Sequence, residues 1–430
     1  MMQALSNGRD EDLGAPETRH DLRRPRLNVF AGSLLFIFVA SLFRPSDLSQ
    51  IHLSSPAGML SFGWLDSLLT TTSVAGVAIT AIIALATRTR PSKVTVAIAV
   101  MALMMLGSTL LSGQDLYTLP RVLFPAFSAA LLFDLFSARD RMFELINVFT
   151  WVLFWYLVVN LVTMFAAPEG LYAVSNGVTL EKGYWFLGWQ KTFGFWAFPA
   201  LLAATVRGYM KYGRFGLLPM VLVAISAITF IRAEAQGNLA ALIIAAAIFL
   251  LTKGKVGRRV LRPVLLVLAT IAWFIIVVLL RLQERFASVI VDLLGKDLTL
   301  TGRTEIWDSA TSSIEGHLVF GLGQEFAAIA RGLPITAHSN YLNLVIYGGL
   351  LLLAVFIGLQ LGFARDVRRN LDLPAARAVL AVGISMFVLT VTETSIGAAL
   401  YLPIIMAAHL SALDGPSPST ADVATPESRA

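Results

Sequence analysis

The chain has 430 residues, 57% hydrophobic and 14% charged, against the roughly 25% charge of a soluble domain. That balance excludes a soluble globular protein and indicates a polytopic membrane protein. The net charge of +6 lies in short basic clusters beside apolar runs, a mark of topology rather than nucleic-acid binding, and a cysteine count of zero excludes disulfides and thiolate chemistry.

Residues 1–26 and 414–430 are rich in Pro, Ser, Asp and Glu, and read as disordered tails around one membrane domain, 27–413. Apolar runs near the ~20 residues that cross a bilayer fall at about 27–43, 67–86, 94–111, 119–136, 145–166, 193–209, 217–231, 238–251, 264–280, 342–363, 379–392 and 396–412. The first follows Arg23, Arg24 and Arg26 and reads as an uncleaved span, because the polar tail before it is long for a signal peptide. The expected fold class is all-α, a polytopic membrane protein of about twelve transmembrane helices, with a long loop at 281–341 between spans nine and ten.

The basic clusters alternate. Arg23 to Arg26, Arg88 to Lys93, Arg139 with Arg141, Arg207 to Arg214, Lys253 to Arg262 and Arg365 to Arg377 all fall on one side of a twelve-span arrangement. By the positive-inside rule that side is cytoplasmic, as are both termini. Segments 44–66, 167–192 and 281–341 then face the opposite side.

Cations on that opposite side are the candidates for chemistry. Lys191 closes the aromatic segment Tyr184-Trp185-Phe186-Leu187-Gly188-Trp189-Gln190-Lys191, whose rings a membrane-interface belt explains without accounting for the lysine. Arg232 follows the run Leu217–Ile231 and needs a partner, an aqueous cavity or an anionic ligand; Glu234 is the nearest carboxylate.

Arg303 opens a stretch in which Ile306, Ala310 and Ile314 recur at helical spacing, with Thr301 or Gly302 as the expected cap. An arginine beside a helix N-terminus suits phosphate, although pairing with Glu305 or Asp308 explains it equally well. Gly321 and Gly323 read as a turn. His338 precedes Ser339, Asn340 and Tyr341 at the expected outer mouth of the span 342–363, where an imidazole can exchange a proton or simply reach water. Glu393, at the outer end of the eleventh span, is expected to serve helix packing or hydrogen bonding.

The order of Lys191, Arg232, the Gly302-Arg303 to Trp307 element, Gly321 with Gly323, and His338-Ser339-Asn340-Tyr341-Leu342 resembles the O-antigen ligase superfamily, which includes O-antigen ligases and Wzy-type exopolysaccharide polymerases. The resemblance covers roughly 180–365 by motif. Three details depart from it: Gln190-Lys191-Thr192 stands where His-Lys-Asn is common, Ile231-Arg232 where Ser-Arg is common, and His317 to Phe320 lacks a usual proline.

The resemblance implies an enzyme of the bacterial inner membrane that moves a glycan from a polyprenyl diphosphate carrier to an acceptor hydroxyl on the periplasmic side. Arg232 and Arg303 would hold the diphosphate, with Lys191 as a third cation. His338 would take or orient the acceptor proton, and Asn340 and Tyr341 would contact substrate. Neither metal nor cofactor is expected. Expected partners are the polyprenyl-diphosphate-linked glycan donor, a glycan or lipid A core acceptor, membrane lipid and other polysaccharide-assembly proteins, with no nucleic acid. Gly188 to Gly194 inclines the reading to a polymerase over an O-antigen ligase. A secondary transporter or lipid flippase stands as the different class, set against by charges gathered at one face and the lack of an evident internal repeat.

Overall fold

The computed structural model describes residues 29–45, 52–55, 58–61, 63–114, 119–175, 180–282, 303–324, 328–330, 333–394 and 397–413. The terminal tails, the Thr301–Gly302 cap and part of the 281–341 loop lie outside the described residues.

A helix occupies each of the twelve apolar runs. In chain order these are α1 (Val29–Leu42), α2 (Gly63–Ala86), α3 (Lys93–Leu111), α4 (Leu119–Ser137), α5 (Met142–Ala166), α6 (Gly194–Tyr212), α7 (Leu217–Arg232) and α8 (Gln236–Leu251). A short basic helix, α9 (Lys255–Val260), leads to α10 (Pro263–Phe274), which ends in a π turn over Ile275–Leu279. Then come α11 (Arg303–Ser313), α12 (Asn340–Arg369), α13 (Pro374–Thr392) and α14 (Ala398–Ala408). Five of the described helices, α2, α3, α5, α12 and α13, are long and apolar enough to cross a bilayer.

Strands are short and confined to connections. β1 (His52–Ser55) pairs antiparallel with β2 (Gly58–Ser61), β4 (Leu180–Trp185) lies between β3 (Tyr172–Ser175) and β5 (Gly188–Trp189), and β6 (Ala328–Ala330) pairs with β7 (Leu333–Ile335). The core runs through α6, α13 and α14, which are buried nearly all round, whereas α2, α3 and α7 expose long apolar faces as helices in contact with lipid do.

At the arginine-rich end, three helix termini meet on one buried carboxylate. Asp134 of α4 accepts from the Ser92 N–H at 3.0 Å and the Thr95 hydroxyl at 2.6 Å, and its other oxygen lies 2.9 Å from Nε2 of His409. The His409 Nδ1 lies 2.9 Å from the Ile405 carbonyl, so both ring nitrogens face acceptors. Buried charge is tolerated here because every partner is supplied.

The largest departure from the sequence reading is α12. A continuous span over 342–363 was expected, but Gly348 (φ −154°, ψ 17°) and Gly349 (φ 71°, ψ −170°) break the helix. The Gln360 amide donates to the Tyr341 hydroxyl at 2.7 Å, 19 residues apart, which in a straight helix would be separated by about 28 Å. Residues 340–347 therefore double back along the following segment. Glycine is required at the elbow: a Cβ on Gly349 would stand 2.0 Å from the Val319 carbonyl oxygen.

Gly321 (φ 73°) and Gly323 (φ 90°) form the expected turn, and the turn cradles this elbow. Leu322 N–H donates to the Ile346 carbonyl at 2.6 Å, and Leu350 N–H to the Leu318 carbonyl at 2.7 Å.

Candidate active site

The doubled-back half of α12 carries His338 into the bundle rather than leaving it at the mouth of a span. Three other segments meet it there. The β4–β5 hairpin delivers Trp189 and Lys191, the start of α11 delivers Arg303, and the end of α13 delivers Glu393. The Trp189 and His338 rings lie 5.7 Å apart, centroid to centroid, and the Lys191 ammonium sits 4.4 Å over the same Trp189 ring. Arg303 donates to Glu393 at 2.5 Å, with both side chains at most 12% exposed. The local pairing of Arg303 with Glu305 or Asp308 that spacing allowed is not the one formed. Asp308 instead pairs with Arg281.

The loop that holds His338 is fixed from both sides. The Trp307 indole N–H donates to the Ala337 carbonyl at 3.0 Å, and the Ala337 N–H donates to Oδ1 of Asn343 at 3.1 Å. Asn343 Nδ2 reaches on to the Thr394 hydroxyl at 2.9 Å, so one buried amide ties the His338 loop to the Glu393–Thr394 loop. His338 itself has a φ of 45°, a left-handed conformation that costs energy in most side-chain-bearing residues and is held only where surroundings impose it.

The remaining two segments have their own anchors. Nδ2 of Asn238, at the start of α8, donates to the carbonyls of Gln190 and Lys191, each at 3.2 Å. Gly194 lets α6 approach: a Cβ there would stand 2.7 Å from Asn238 Oδ1 and 2.8 Å from Leu389. Arg281, at the end of α10, reaches both Asp308 and, at 3.4 Å, the Thr304 carbonyl, steadying the helix whose first residue is Arg303.

The electrostatics are those of a partly buried cationic cluster. Burial, then the positive charges of Arg303 and Lys191, bring the His338 imidazole down to about 4, so it is neutral at physiological pH. Burial also raises the Glu393 carboxyl above its ordinary value, and Arg303 and Lys191 recover only part of that shift. Next to His338, the Ser339 hydroxyl oxygen and both amide atoms of Asn340 are buried and have no hydrogen-bond partner among the described residues. Such groups cost about 1–3 kcal/mol each unless a ligand satisfies them.

The sequence candidates therefore divide. Lys191, Arg303, His338 and Asn340 come together. Tyr341 packs in the core between Phe274, stacked at 4.9 Å, and Phe356, with its hydroxyl held by Gln360, which gives it a packing role. Arg232 is exposed at the end of α7, over the Phe165 ring at 5.4 Å; among the described residues it makes no ion pair, with Glu234 or any other carboxylate. No group of three His, Asp or Glu side chains converges among the described residues as a metal ion would need.

Residues 220–357 match the family model described as O-antigen ligase. That match supports the O-antigen ligase superfamily. Over that segment the chain is similar to O-antigen ligases, and its long apolar helices are those of a multi-pass membrane protein. The O-antigen ligase match takes in Arg232, Asn238, Arg303, Trp307, His338, Asn340 and Asn343, and stops short of Lys191 on one side and Glu393 on the other. The fold, not the matched segment, brings those last two to the site. No curated protein and no solved structure matches the chain.

Proposed function

We propose that the protein is a polysaccharide polymerase that transfers a glycan from polyprenyl diphosphate to an acceptor sugar hydroxyl at the periplasmic face of the inner membrane, in exopolysaccharide or O-antigen assembly. One observation carries the reading: in a chain with an O-antigen ligase match, Lys191, Arg303 and a neutral His338 from distant segments share one partly buried site. The basic clusters favour twelve spans with both termini cytoplasmic, and that arrangement supports a site on the periplasmic side.

In the proposed reaction the acceptor oxygen attacks the anomeric carbon opposite the leaving group, and the bond from that carbon to the phosphate oxygen breaks. The electron pair leaves with the diphosphate and the hydroxyl proton goes to His338. The anomeric centre inverts. Arg303 and Lys191 stabilise the charge that grows on the diphosphate, in a site where burial keeps water from screening it. No metal takes part. Arg303 suits this role because its planar fork holds two phosphate oxygens at once and keeps its proton.

Glu393 occupies Arg303 when the donor is absent and gives it up to the diphosphate. The same diphosphate offsets the two cations that depress His338, so donor binding makes the base more basic at the moment it is needed. Ser339 and Asn340 supply the unpaired polar atoms for acceptor hydroxyls. Arg232, exposed at the rim, meets the donor first. Tyr341 is left out of the substrate-binding set.

Reconstitution tests the proposal. The purified protein is given a polyprenyl-diphosphate-linked repeat unit, with and without lipid A core, and the products are sized. Elongated carrier-linked glycan supports the polymerase; glycan moved only to lipid A core makes the protein an O-antigen ligase; transfer to neither removes the glycosyltransferase reading. Activity lost in chelator and restored by magnesium or manganese would overturn the metal-independent step.

A further inference from the structure

At the arginine-rich end, away from His338, the turn between α2 and α3 builds a second site. Ser92 caps α3, its Oγ accepting from the Thr95 N–H at 3.2 Å, and both residues bond to Asp134 of α4. The turn is thereby pinned to α4. From it, α2 and α3 each rest on α4 but make little contact with one another. A groove of about 720 Å³ opens between them, floored by Phe127 and Leu131 and walled by Leu85, Val96, Val100 and Leu103. Its size is that of a small-molecule site, roughly 300–1,000 Å³.

Arg88 and Arg90 close the end of this groove, and no carboxylate lines it. Asp134, the nearest buried acid, is already occupied by Ser92, Thr95 and His409. Neither arginine has an ion-pair partner among the described residues. Two unpaired guanidinium groups above a long apolar trough match a molecule with a phosphate at one end and hydrocarbon at the other.

We propose that this groove binds one anionic phospholipid of the leaflet on the arginine-rich side, with its phosphate between Arg88 and Arg90 and an acyl chain along Val96, Val100 and Leu103. The donor's polyprenyl chain is the wrong occupant, because its diphosphate must reach Arg303 at the opposite end of the bundle. A comparable groove of about 570 Å³ across α2, between α1 and α4, ends at Arg139 and Arg141, but there Glu144 already pairs with Arg141. Only the exclusion of the polyprenyl chain rests on the glycan-transfer reading; the groove, its two arginines and the test below do not.

Native mass spectrometry of the full-length protein, mixed in detergent with equal amounts of phosphatidylglycerol and phosphatidylcholine, tests it. The protein should retain phosphatidylglycerol preferentially, and Arg88→Gln with Arg90→Gln should cut that preference by roughly fivefold per arginine. Ala99→Trp, which fills the groove and keeps both arginines, should remove the bound lipid; Val100→Trp is the second filling variant if the first does not purify as a single species. Equal retention of the two lipids, an unchanged preference in the double arginine variant, or lipid retained in the filled groove would each overturn the proposal.

Discussion

The Arg303 guanidinium donates to the Glu393 carboxylate at 2.5 Å, joining the start of α11 to the end of α13 across 90 residues of chain. Two charges this far from water persist only as a pair, and removing one partner of such a pair costs about 3–5 kcal/mol. Whatever anion binds Arg303 must therefore compete with Glu393. Glu393→Gln, which keeps the shape and one acceptor oxygen, is expected to lower the KM for the polyprenyl diphosphate donor several-fold, measured by initial rates over a donor series. An unchanged or higher KM would show that Glu393 does not compete.

Arg303→Lys separates charge from geometry. Lysine keeps the cation but loses the two-pronged hydrogen bonding that a diphosphate requires. Turnover should fall by more than about tenfold, the equivalent of some 1.4 kcal/mol of transition-state stabilisation, while expression and thermal stability stay near wild type. A variant that turns over normally would place Arg303 outside the site.

For His338 the sign of the pH effect is fixed by its environment. The imidazole acts as a base only when neutral, and its value of about 4 in the free protein, against 6.5 for an ordinary histidine, keeps it neutral above roughly pH 5. The acid limb of kcat/KM should therefore lie near pH 4. Bound diphosphate cancels the charges of Arg303 and Lys191, so the acid limb of kcat should sit higher. His338→Ala should abolish transfer and leave donor binding intact, as followed by titration with the carrier lipid. Both limbs coinciding near 6.5 would mean that the cations do not act on the imidazole.

Asn340 offers a test free of folding effects. Its amide has no protein partner among the described residues, so Asn340→Ala removes buried polar atoms that the fold does not use. Thermal stability should hold or rise, whereas the KM for acceptor should increase. Loss of stability without a change in acceptor kinetics would assign Asn340 to the fold.

The elbow in α12 can be probed by one methyl group. Gly349→Ala puts a Cβ 2.0 Å from the Val319 carbonyl at a φ of 71°, and should leave little folded protein in fluorescence-detected size exclusion. Gly358→Ala, where a Cβ meets nothing within 4 Å, is the control and should be neutral or stabilising by up to about 1 kcal/mol.

The helices were legible because long apolar runs are a composition signal: each of the twelve runs holds a helix, and five of the described helices are long and apolar enough to cross a bilayer. Lys191, Arg303 and His338 were legible for a related reason: ionisable groups on the side with few cations contradict the pattern around them. What joins them was not. Trp307 meets Ala337, Asn343 meets Thr394 and Asn238 meets Lys191 over separations of 30, 51 and 47 residues, and no local pattern encodes such contacts. Two missed features did leave a signal. Arg281 is another cation against the topology rule, and Gly348-Gly349 in the middle of an apolar run marks a break. Arg232 shows the reverse: it carried the same signal as Arg303, yet lies exposed on Phe165.

The doubling back of α12 also changes how its length is counted. From Leu350 to Arg369 the helix has about 20 residues, roughly 30 Å, enough to cross the hydrocarbon layer unaided. The eight or so residues before the elbow are thus released from the task of spanning. They form a short arm inside the bundle whose depth is set by two glycines, and lengthening or shortening that arm would move His338 up or down relative to Arg303 without disturbing how the protein sits in its membrane.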